Sequence, residues 1–487
     1  SGVEILAGGD KADRFEIRGE RTYNLLGGEG NDIFKFVNNA KLIGIIDGEA
    51  GKNTLDYAAY GTARNIIITG LNPVSGSFNG TEEETLSGGF ANIQYFIGSK
   101  TSQGDSWTGL DEQSIWDFAG SKVTYSNSSI QGSFADGLEL CLTNIEILGG
   151  SNKGDTFNVI GTVPYSLRGG AGDDLFNLSG TATLTGQINS GAGDDSFIFA
   201  DNARILGSID GGAGYNTLDF SAYGSGVTIN LEALKVSTQT LGTVLNKFNS
   251  IQKLMGSNLT DPSDILVGPN TGARFKITGE NAGEISWHNA GNPGIDLVID
   301  FVSMENLLGG SGNDTFAFVA GEFAQGKIAG SLNGGGGLNT LDYSSFNRMD
   351  LAEEEPGVTV DLLAGSATGV GGGLKNQLGN ISILIGSPYN DILLGDSRAN
   401  TFIGGKGNDR MEGRSGTNTY IFEEDWGEDE VIDSSGGGTL DFSSLLKDMT
   451  VNLNPLVITV EYEANLVTYT GISLIKTGSG NDVFNIS

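Results

Sequence analysis

A glycine-rich motif that recurs at regular intervals constrains this chain more than any other feature. The motif reads Gly-Gly-x-Gly-x-Asp-x-apolar, and its copies occupy residues 27–34, 169–176, 190–197, 309–316 and 404–411, with a partial copy at 478–484. Glycine permits positive φ and close backbone approach, so the first half of the motif predicts a tight turn. The apolar eighth residue then predicts a short strand whose side chain points inward.

The spacing of the sixth positions predicts stacked coils. Neighbouring copies are 19 to 21 residues apart in two series: Asp13, Asp32 and Asn53, then Asp155, Asp174, Asp195 and Asn216. Coils of about 20 residues stack at the strand spacing of about 4.8 Å. We therefore expect an all-β chain, a parallel β-helix or β-roll solenoid built from stacked repeat units. The eighth positions should form an inward column (Phe157, Phe176, Phe197 and Leu218), and the sixth positions an outward column at the turn edge.

One block of the chain repeats without interruption. Nonapeptides begin at Gly386, Gly395, Gly404 and Gly413, and their sixth positions are Asp391, Asn400, Asp409 and Asn418. Turns on the same edge are then 18 residues apart, which pairs Asp391 with Asp409. The two asparagines are expected at the opposite edge, where neutral amides should bind a cation weakly or not at all.

A longer repeat divides the chain into units. Aligned on Asp13, Asp155, Asp314 and Asp482, the copies are 142, 159 and 168 residues apart. We expect unit 1 at residues 1–142, unit 2 at 143–302, unit 3 at 303–471 with the contiguous block 386–418, and the start of a fourth at 472–487. Such a chain is expected to be a fragment of a longer one. Residues 101–141 and 258–300 lack the glycine turn; we expect coils there, and an inserted β-sandwich is the alternative.

Charge excludes several partners. The chain has 60 acidic and 27 basic residues, a net charge of −33, so neither nucleic acid nor anionic lipid is expected as a partner. No apolar stretch approaches the roughly 20 residues of a membrane span, so membrane insertion is not expected either. Two interpretations of the acidity remain open, a self-repelling soluble surface and carboxylates that bound divalent cations neutralise.

The positions of the carboxylates favour bound calcium. Calcium prefers six to eight oxygen ligands, and glycine-rich turns expose carbonyl oxygens beside the aspartates. The alternative is a ladder of Asp and Asn side chains that bond their own turns without an ion, although stacked carboxylates about 5 Å apart repel one another. The predicted metal ligands are Asp13, Asp32, Asp155, Asp174, Asp195, Asp314, Asp391, Asp409 and Asp482.

The nonapeptides resemble the haemolysin-type calcium-binding repeats of the RTX family. Residues 420–422 and 426–433 resemble the segment that often follows such repeats, and the longer units resemble modules of giant repetitive bacterial surface proteins. The resemblance implies a parallel β-roll with Ca²⁺ in its turns and an extracellular location at the bacterial cell surface. Only residues 386–418 are contiguous, so the rest is expected to be a wider β-helix with the calcium turn on one edge.

The expected function is structural or adhesive, as part of a filament, sheath, surface layer or long adhesin. The expected partners are further copies or neighbouring units of a longer chain, and surface polysaccharide. The alternatives are a β-helical polysaccharide lyase, hydrolase or epimerase, and a carbohydrate-binding module that stacks sugars on Trp107, Trp116, Trp287 or Trp426. Four scattered tryptophans are more typical of packing. Because His288 is the only histidine and no nucleophile motif is present, we expect no catalytic residues and no enzyme.

Overall fold

A computed structural model describes residues 4–72, 74–100, 104–127, 138–259, 264–288, 296–319, 326–346, 356–453, 458–463 and 465–486. Within these ranges the chain is all-β, without an α-helix, and one short 3₁₀ turn covers Gly371–Gly373. No helix in the described part of the chain has the length and apolar character to span a membrane. The predicted fold class is confirmed, because short strands stack mainly in parallel.

The chain packs into two compact units. The first contains residues 1–224 and 234–253, and the second contains residues 225–233 and 254–487. These units are defined by packing, whereas the units expected from the sequence are defined by repetition. The predicted repeat boundaries therefore stay a prediction.

Strands are numbered along the chain. Those of the first unit are β1 (Ile5–Ala7), β2 (Arg14–Ile17), β3 (Glu20–Arg21), β4 (Asn24–Leu26), β5 (Ile33–Val37), β6 (Lys41–Leu42), β7 (Ile46–Asp47), β8 (Thr54–Ala59), β9 (Asn65–Asn72), β10 (Ser77–Glu82), β11 (Leu86–Ile93), β12 (Tyr95–Ile97), β13 (Ser106–Thr108), β14 (Ser114–Ala119), β15 (Lys122–Asn127), β16 (Leu138–Glu139), β17 (Cys141–Thr143), β18 (Ile147–Gly149), β19 (Thr156–Val163), β20 (Ser166–Ala171), β21 (Leu175–Leu184), β22 (Ile188–Ala192), β23 (Ser196–Phe199), β24 (Arg204–Asp210), β25 (Thr217–Asp219), β27 (Lys235–Thr238) and β28 (Gly242–Asn249).

Those of the second unit are β26 (Val227–Asn230), β30 (Ile265–Val267), β31 (Ala273–Gly279), β32 (Ala282–His288), β33 (Asp296–Val302), β34 (Asn306–Leu308), β35 (Thr315–Phe318), β36 (Leu332–Asn333), β37 (Thr340–Asp342), β38 (Pro356–Asp361), β39 (Ser366–Ala367), β40 (Leu378–Gly379), β41 (Ile383–Ile385), β42 (Asn390–Leu394), β43 (Thr401–Ile403), β44 (Arg410–Glu412), β45 (Thr419–Ile421), β46 (Glu428–Ile432), β47 (Gly438–Asp441), β48 (Thr450–Leu453), β49 (Ile458–Tyr462), β50 (Asn465–Thr470), β51 (Ile472–Lys476) and β52 (Val483–Ile486). Strand β29 (Lys253–Met255) lies where the two units divide.

The first unit contains several parallel stacks. Strands β2, β5, β8, β12 and β17 form one stack, and β14, β19, β21, β23 and β25 form another. A third runs β9, β13, β18, β20, β22, β24 and β28. Each glycine turn leads into a strand of the first or second stack, so the turns lie above one another at the edge of the coils.

The second unit contains the contiguous nonapeptides, whose strands alternate between two stacks. Strands β31, β35, β37, β41, β43, β45, β47 and β51 form one stack, and β38, β42, β44, β46 and β50 form the other. Consecutive nonapeptides therefore turn at opposite edges, as the 18-residue spacing predicts.

The inward column of eighth positions is confirmed. Phe157, Phe176, Phe197 and Leu218 pair in register on successive coils and are fully buried. The rings of Phe157 and Phe176 stack with centroids 4.7 Å apart, and those of Phe176 and Phe197 with centroids 5.2 Å apart. Burying a phenylalanine contributes about 1.5–3 kcal/mol, so these columns form the core of the coils.

The stretches without the glycine turn are coils that carry antiparallel excursions. In the first, β14 lies parallel to β19 on the next coil and pairs antiparallel with β15, which pairs with β16. In the second, β31 lies parallel to β35 and continues into the antiparallel strands β32 and β33. The described parts of both stretches thus belong to the coils and form no separate sandwich; residues 101–103, 128–137, 260–263 and 289–295 lie outside the described residues.

A candidate metal centre in the stacked turns

The sixth-position side chains form a ladder along the turns of the first unit. The backbone N–H of Asp13 donates to Oδ1 of Asp32 (2.8 Å), and that of Asp32 donates to Oδ1 of Asn53 (2.9 Å). A second ladder has the same geometry: the N–H groups of Ser114, Asp155, Asp174 and Asp195 donate to Oδ1 of Asp155, Asp174, Asp195 and Asn216 at 2.6, 2.7, 2.9 and 3.0 Å. Each side chain therefore accepts the sixth-position N–H of the preceding coil.

The second unit repeats this arrangement. Successive N–H groups of Val358, Asp391 and Asp409 donate to Oδ1 of Asp391, Asp409 and Asp429, at 2.6, 2.8 and 2.9 Å. At the opposite edge Asn400 donates to Oδ1 of Asn418 (3.0 Å). Elsewhere in the unit, Asp314 donates to Asn339 (2.9 Å), and Met449 donates to Oδ1 of Asp482 (3.2 Å). The structure places the predicted pair, Asp391 and Asp409, on adjacent coils, and it does the same for neighbouring members of the two spaced series.

The prediction that these side chains form an outward column is wrong. Asp32, Asp155, Asp174 and Asp195 are at most 2% exposed, and Asp314, Asp391 and Asp409 are buried to the same degree. Only Asp13 and Asp482, on the outermost described coils, are half-buried. The physical reason is the turn itself: its backbone N–H has no strand partner, and the carboxylate of the next coil lies beneath the turn to accept it.

Five of these carboxylates keep one oxygen without a partner. Among the described residues, the buried Oδ2 atoms of Asp32, Asp174, Asp195, Asp409 and Asp429 accept no hydrogen bond, whereas the N–H of Gly310 lies close to the carboxyl group of Asp314. In several turns this oxygen lies close to a carbonyl oxygen of the next coil, beside the first glycine of the motif. A β-carbon on Gly169 would overlap both Oδ2 of Asp174 and the carbonyl oxygen of Ser190. Only glycine leaves room for two oxygens there.

The asparagines of the ladder show which group fits beside the carbonyl oxygens at the second side-chain atom of the sixth position. The Nδ2 group of Asn216 donates to the carbonyl oxygens of Gly211 (2.7 Å) and Ser250 (3.0 Å), and Asn53 bonds Gly48 and Asn92 in the same way. Where Asn216 and Asn53 place a donor against carbonyl oxygens, aspartate places a second acceptor; Asn400 differs, since its buried Nδ2 has no partner among the described residues. Two facing acceptors need a proton or a cation between them.

Burial raises the pKa of several ladder carboxyl groups. The pKa of Asp174 rises to about 8, first because burial disfavours its charged form and then because Asp195 and Asp155 are close. The same causes raise the pKa of Asp409 to about 9, with Asp429 and Asp391 as its charged neighbours. Burial likewise raises the pKa of Asp429 to about 8, of Asp391 to about 7 and of Asp314 to about 6.

The unpartnered oxygens fit a bound cation. Each buried polar atom left without a hydrogen bond costs about 1–3 kcal/mol, and more when it is charged. A row of them would offset much of the roughly 5–15 kcal/mol by which a typical domain is stable. No group of three or more His, Cys, Asp or Glu side chains capable of holding a metal occurs among the described residues. A calcium ion here would therefore be held by one or two carboxylates and by backbone carbonyl oxygens, which are ligands that calcium accepts.

Sequence reasoning missed several ladder members. Asp429 continues the column of Asp391 and Asp409, and the only motif residue before it is Gly427, two positions earlier. Asp105 and Asp264 accept the N–H groups of Arg64 and Val227 (2.5 and 2.6 Å). A 41-residue offset to the next ladder member, Glu146 or Glu305, could have revealed both aspartates.

The tryptophans considered for sugar binding and the histidine considered for catalysis are not members of the ladder. Trp107, Trp116 and Trp426 are at most 2% exposed, so they are packing residues and offer no surface on which a sugar could stack. Trp287 is half-buried. His288 is exposed and pairs with Asp296, Nδ1 to Oδ1 at 2.7 Å.

A depression in the second unit lies over the nonapeptide turns. It is lined by Gly386, Gly404, Glu424, Trp426 and Asp429, among others. The unpartnered Oδ2 of Asp429 belongs to a residue of this lining. Solvent and small ions can therefore approach the stacked turns from this side.

A comparison with protein families matches one part of the chain. The family model of the RTX calcium-binding nonapeptide repeat (4 copies) matches residues 385–420. A search of curated proteins finds no match. The resemblance to RTX repeats is thereby confirmed for the contiguous block, and calcium is the cofactor that such repeats bind. The individual aspartates stay predictions as metal ligands.

Proposed function

We propose that this chain is an extracellular, calcium-stabilised structural or adhesive protein of a bacterial surface. The family match at residues 385–420 already indicates a calcium-binding repeat protein. The observation that carries the proposal further is that unpartnered carboxylate oxygens recur beneath the turns of both compact units. In this proposal calcium binds at turns throughout the repetitive chain and not only within residues 385–420.

The ion acts on stability in this proposal. Bound calcium would supply positive charge among buried carboxylates whose Oδ2 atoms have no partner in the described part of the chain. The chain's own residues do the rest: Oδ1 of each aspartate holds the preceding turn, and Oδ2 and the neighbouring carbonyl oxygens face the ion. Calcium is scarce in the cytosol and abundant outside cells, so a fold that needs it would assemble fully after export.

A structural role also fits the repetition. Successive coils present nearly the same edges and the same exposed fifth-position groups, such as Asp173, whose Oδ1 accepts the N–H of Asp194 (2.8 Å), and Asp194, whose Oδ1 accepts that of Tyr215 (2.7 Å). Repeated surfaces favour self-association or binding to a repetitive partner such as a surface polysaccharide. We propose a non-catalytic role, because the carboxyl groups with a raised pKa belong to the ladder and the single histidine lies at the surface.

Electron microscopy of the purified chain tests this proposal. Samples at equal protein concentration are compared in millimolar calcium and in excess chelator. We expect calcium-dependent fibres, sheets or lattices; isolated particles in both conditions would contradict the structural role. Incubation with acidic and neutral polysaccharides, followed by assays for new reducing ends and for unsaturated sugars, tests the alternative of a polysaccharide-active enzyme. Turnover in that assay would replace the proposal.

A further inference from the structure

The turns fall into two classes that differ in how the second carboxylate oxygen is satisfied. In the capped turns a serine near the start of the turn donates to the aspartate. Ser151 donates its N–H to Oδ2 of Asp155 (2.8 Å), and Ser387 donates its N–H to Oδ2 of Asp391 (2.6 Å). Ser257 donates both its N–H and its hydroxyl to Oδ2 of Asp264, each at 2.8 Å, and Ser99 donates its hydroxyl to Oδ2 of Asp105 (2.8 Å).

In the open turns that oxygen has no donor. The open turns are those of Asp32, Asp174, Asp195, Asp409 and Asp429, whose Oδ2 atoms are buried and unpartnered within the described ranges. Asp314 is set apart, because the N–H of Gly310 lies within hydrogen-bonding reach of its carboxyl group. None of these five turns has serine at its second position, and three of them begin with Gly-Gly. The second glycine has positive φ at Gly28 (93°), Gly170 (119°) and Gly405 (102°), a conformation that serine disfavours.

The first coil is an exception to the serine rule. Gly8 and Gly9 begin its turn, yet the N–H of Gly9 donates to Oδ2 of Asp13 (2.7 Å). Gly9 is not among the glycines with positive φ, unlike Gly28, Gly170 and Gly405. Gly310 also lacks positive φ, and its N–H bonds the carboxyl group of Asp314. The class of a turn is therefore set by whether the N–H or hydroxyl of its second residue caps the carboxylate; serine provides the cap in four turns, and a glycine without positive φ can provide it too.

We propose that the open turns are the calcium-requiring sites and that the capped turns hold their carboxylates without an ion. This inference rests on the proposed calcium-stabilised function and deepens it. It also divides the predicted ligands: Asp32, Asp174, Asp195 and Asp409 belong to the calcium-requiring class, and Asp429 joins them. Asp155 and Asp391 belong to the ion-independent class and serve chiefly as hydrogen-bond acceptors that begin a ladder.

Asparagine substitution distinguishes the two classes. In the absence of calcium it should raise the stability of an open turn and lower the stability of a capped turn on the adjacent coil. In Asp174→Asn the new Nδ2 lies where Asn216 already donates to carbonyl oxygens, so it supplies the donor that the open turn lacks. In Asp155→Asn the new Nδ2 faces the N–H of Ser151, so two donors oppose each other. Both substitutions remove one formal charge and keep the shape of the side chain.

The experiment measures Tm in excess chelator and in millimolar CaCl₂, together with calcium bound per chain by equilibrium dialysis and elemental analysis. For Asp174→Asn we expect a higher Tm in chelator, a smaller gain on adding calcium and less bound calcium than in the natural chain. For Asp155→Asn we expect a lower Tm in both conditions with bound calcium unchanged. The second pair, Asp409→Asn and Asp391→Asn, repeats the comparison in the other compact unit if one variant of the first pair fails to fold.

The outcomes separate the inference from the function on which it rests. If the natural chain shows no calcium-dependent change in Tm, the proposed calcium-stabilised function is wrong, whatever the variants show. If the natural chain responds but Asp155→Asn loses as much bound calcium as Asp174→Asn, the two classes do not exist. A lower Tm in chelator for both Asp174→Asn and Asp409→Asn would likewise overturn the inference.

Discussion

At the scale of single residues, the need for a cation depends on one side-chain atom at the sixth position of each turn, which is oxygen in aspartate and nitrogen in asparagine. Asparagine and aspartate have the same shape, and both accept a backbone N–H of the preceding coil through Oδ1. They differ at the second position, where Asn216 donates to carbonyl oxygens and Asp174 presents an unpartnered oxygen. A buried acceptor beside other acceptors is stable only when it takes up a proton or lies next to a cation.

The stability of the calcium-free chain should therefore fall as the pH rises. The pKa of Asp174 is about 8 and that of Asp409 about 9 in the folded chain, against an ordinary value of 3.8. The folded state then binds more protons than the unfolded state, so stability is fully present below about pH 4 and is lost up to about pH 9. We expect a lower Tm in chelator at pH 8.5 than at pH 5.5.

Excess calcium should reverse much of this dependence, because calcium competes with protons for the same oxygens. Asp174→Asn, which removes one of these titrating groups, is the control and should flatten the pH profile measured in chelator. A calcium-free Tm that increases between pH 5.5 and 8.5 would contradict the assignment of raised pKa values.

The second glycine of an open turn should be intolerant of a side chain. Gly170 has φ 119°, and a β-carbon there would overlap the carbonyl oxygen of Ser151 on the preceding coil. We expect Gly170→Ala to lower the free energy of unfolding by at least about 1–3 kcal/mol, the usual cost of a strained backbone. Gly9→Ala is the control, since nothing lies within 4 Å of its β-carbon. Denaturant titration in calcium measures both, and equal effects would contradict the close approach.

At the scale of elements, the strands are held by columns of like side chains. In the stack of β14, β19, β21, β23 and β25, Trp116 begins the column that Phe157, Phe176 and Phe197 continue. The rings of Trp116 and Phe157 stack with centroids 5.7 Å apart. Each ring contacts the coil above and the coil below, so one side chain stabilises three coils.

Truncation inside such a column should be costly. Phe176 is fully buried between Phe157 and Phe197, and we expect Phe176→Ala to lower the free energy of unfolding by about 3–5 kcal/mol through lost contacts and a cavity. The control is Ile160→Ala on the neighbouring strand, where the side chain is 54% exposed and the loss should stay below about 1 kcal/mol. Chemical denaturation in saturating calcium measures both variants; a small loss for Phe176→Ala would show that the column is not the core.

At the scale of the whole molecule, calcium should govern stability across many turns at once. Unpartnered oxygens occur in both compact units, so the ions add their effects over the chain. Each site contributes about 2.7 kcal/mol when calcium is at 100 times its dissociation constant. We expect chelation to lower Tm by many degrees, as measured by differential scanning calorimetry.

Magnesium is the control for this prediction. It demands shorter, nearly octahedral coordination and keeps its waters, so an equal concentration should restore little of the lost stability. An unchanged Tm after chelation would show that calcium does not stabilise the chain. Equal recovery of Tm with magnesium would indicate general charge screening and not a specific calcium site.

The sequence was sufficient for the periodic features of this protein. Turn spacing predicted the parallel coils, the inward column at Phe157, Phe176 and Phe197, and the pairing of Asp391 with Asp409. These features follow from local chemistry: glycine fixes where the chain turns, and an alternating strand fixes which side chains point inward. The calcium-binding block was recognisable for the same reason, since each nonapeptide carries its turn and its strand together.

Other features needed the tertiary structure, because they depend on a neighbouring coil. The burial of the sixth-position aspartates, expected at the surface, results from the N–H of another coil 18 to 41 residues away. Asp105, Asp264 and Asp429 belong to the ladder because the coils differ in length, which the 18- to 21-residue period of the glycine turns does not describe. The difference between capped and open turns likewise depends on where a serine N–H or a second glycine lies relative to one carboxylate oxygen. Periodicity in the chain determined the coils, and contacts between coils decided which carboxylates still need a cation.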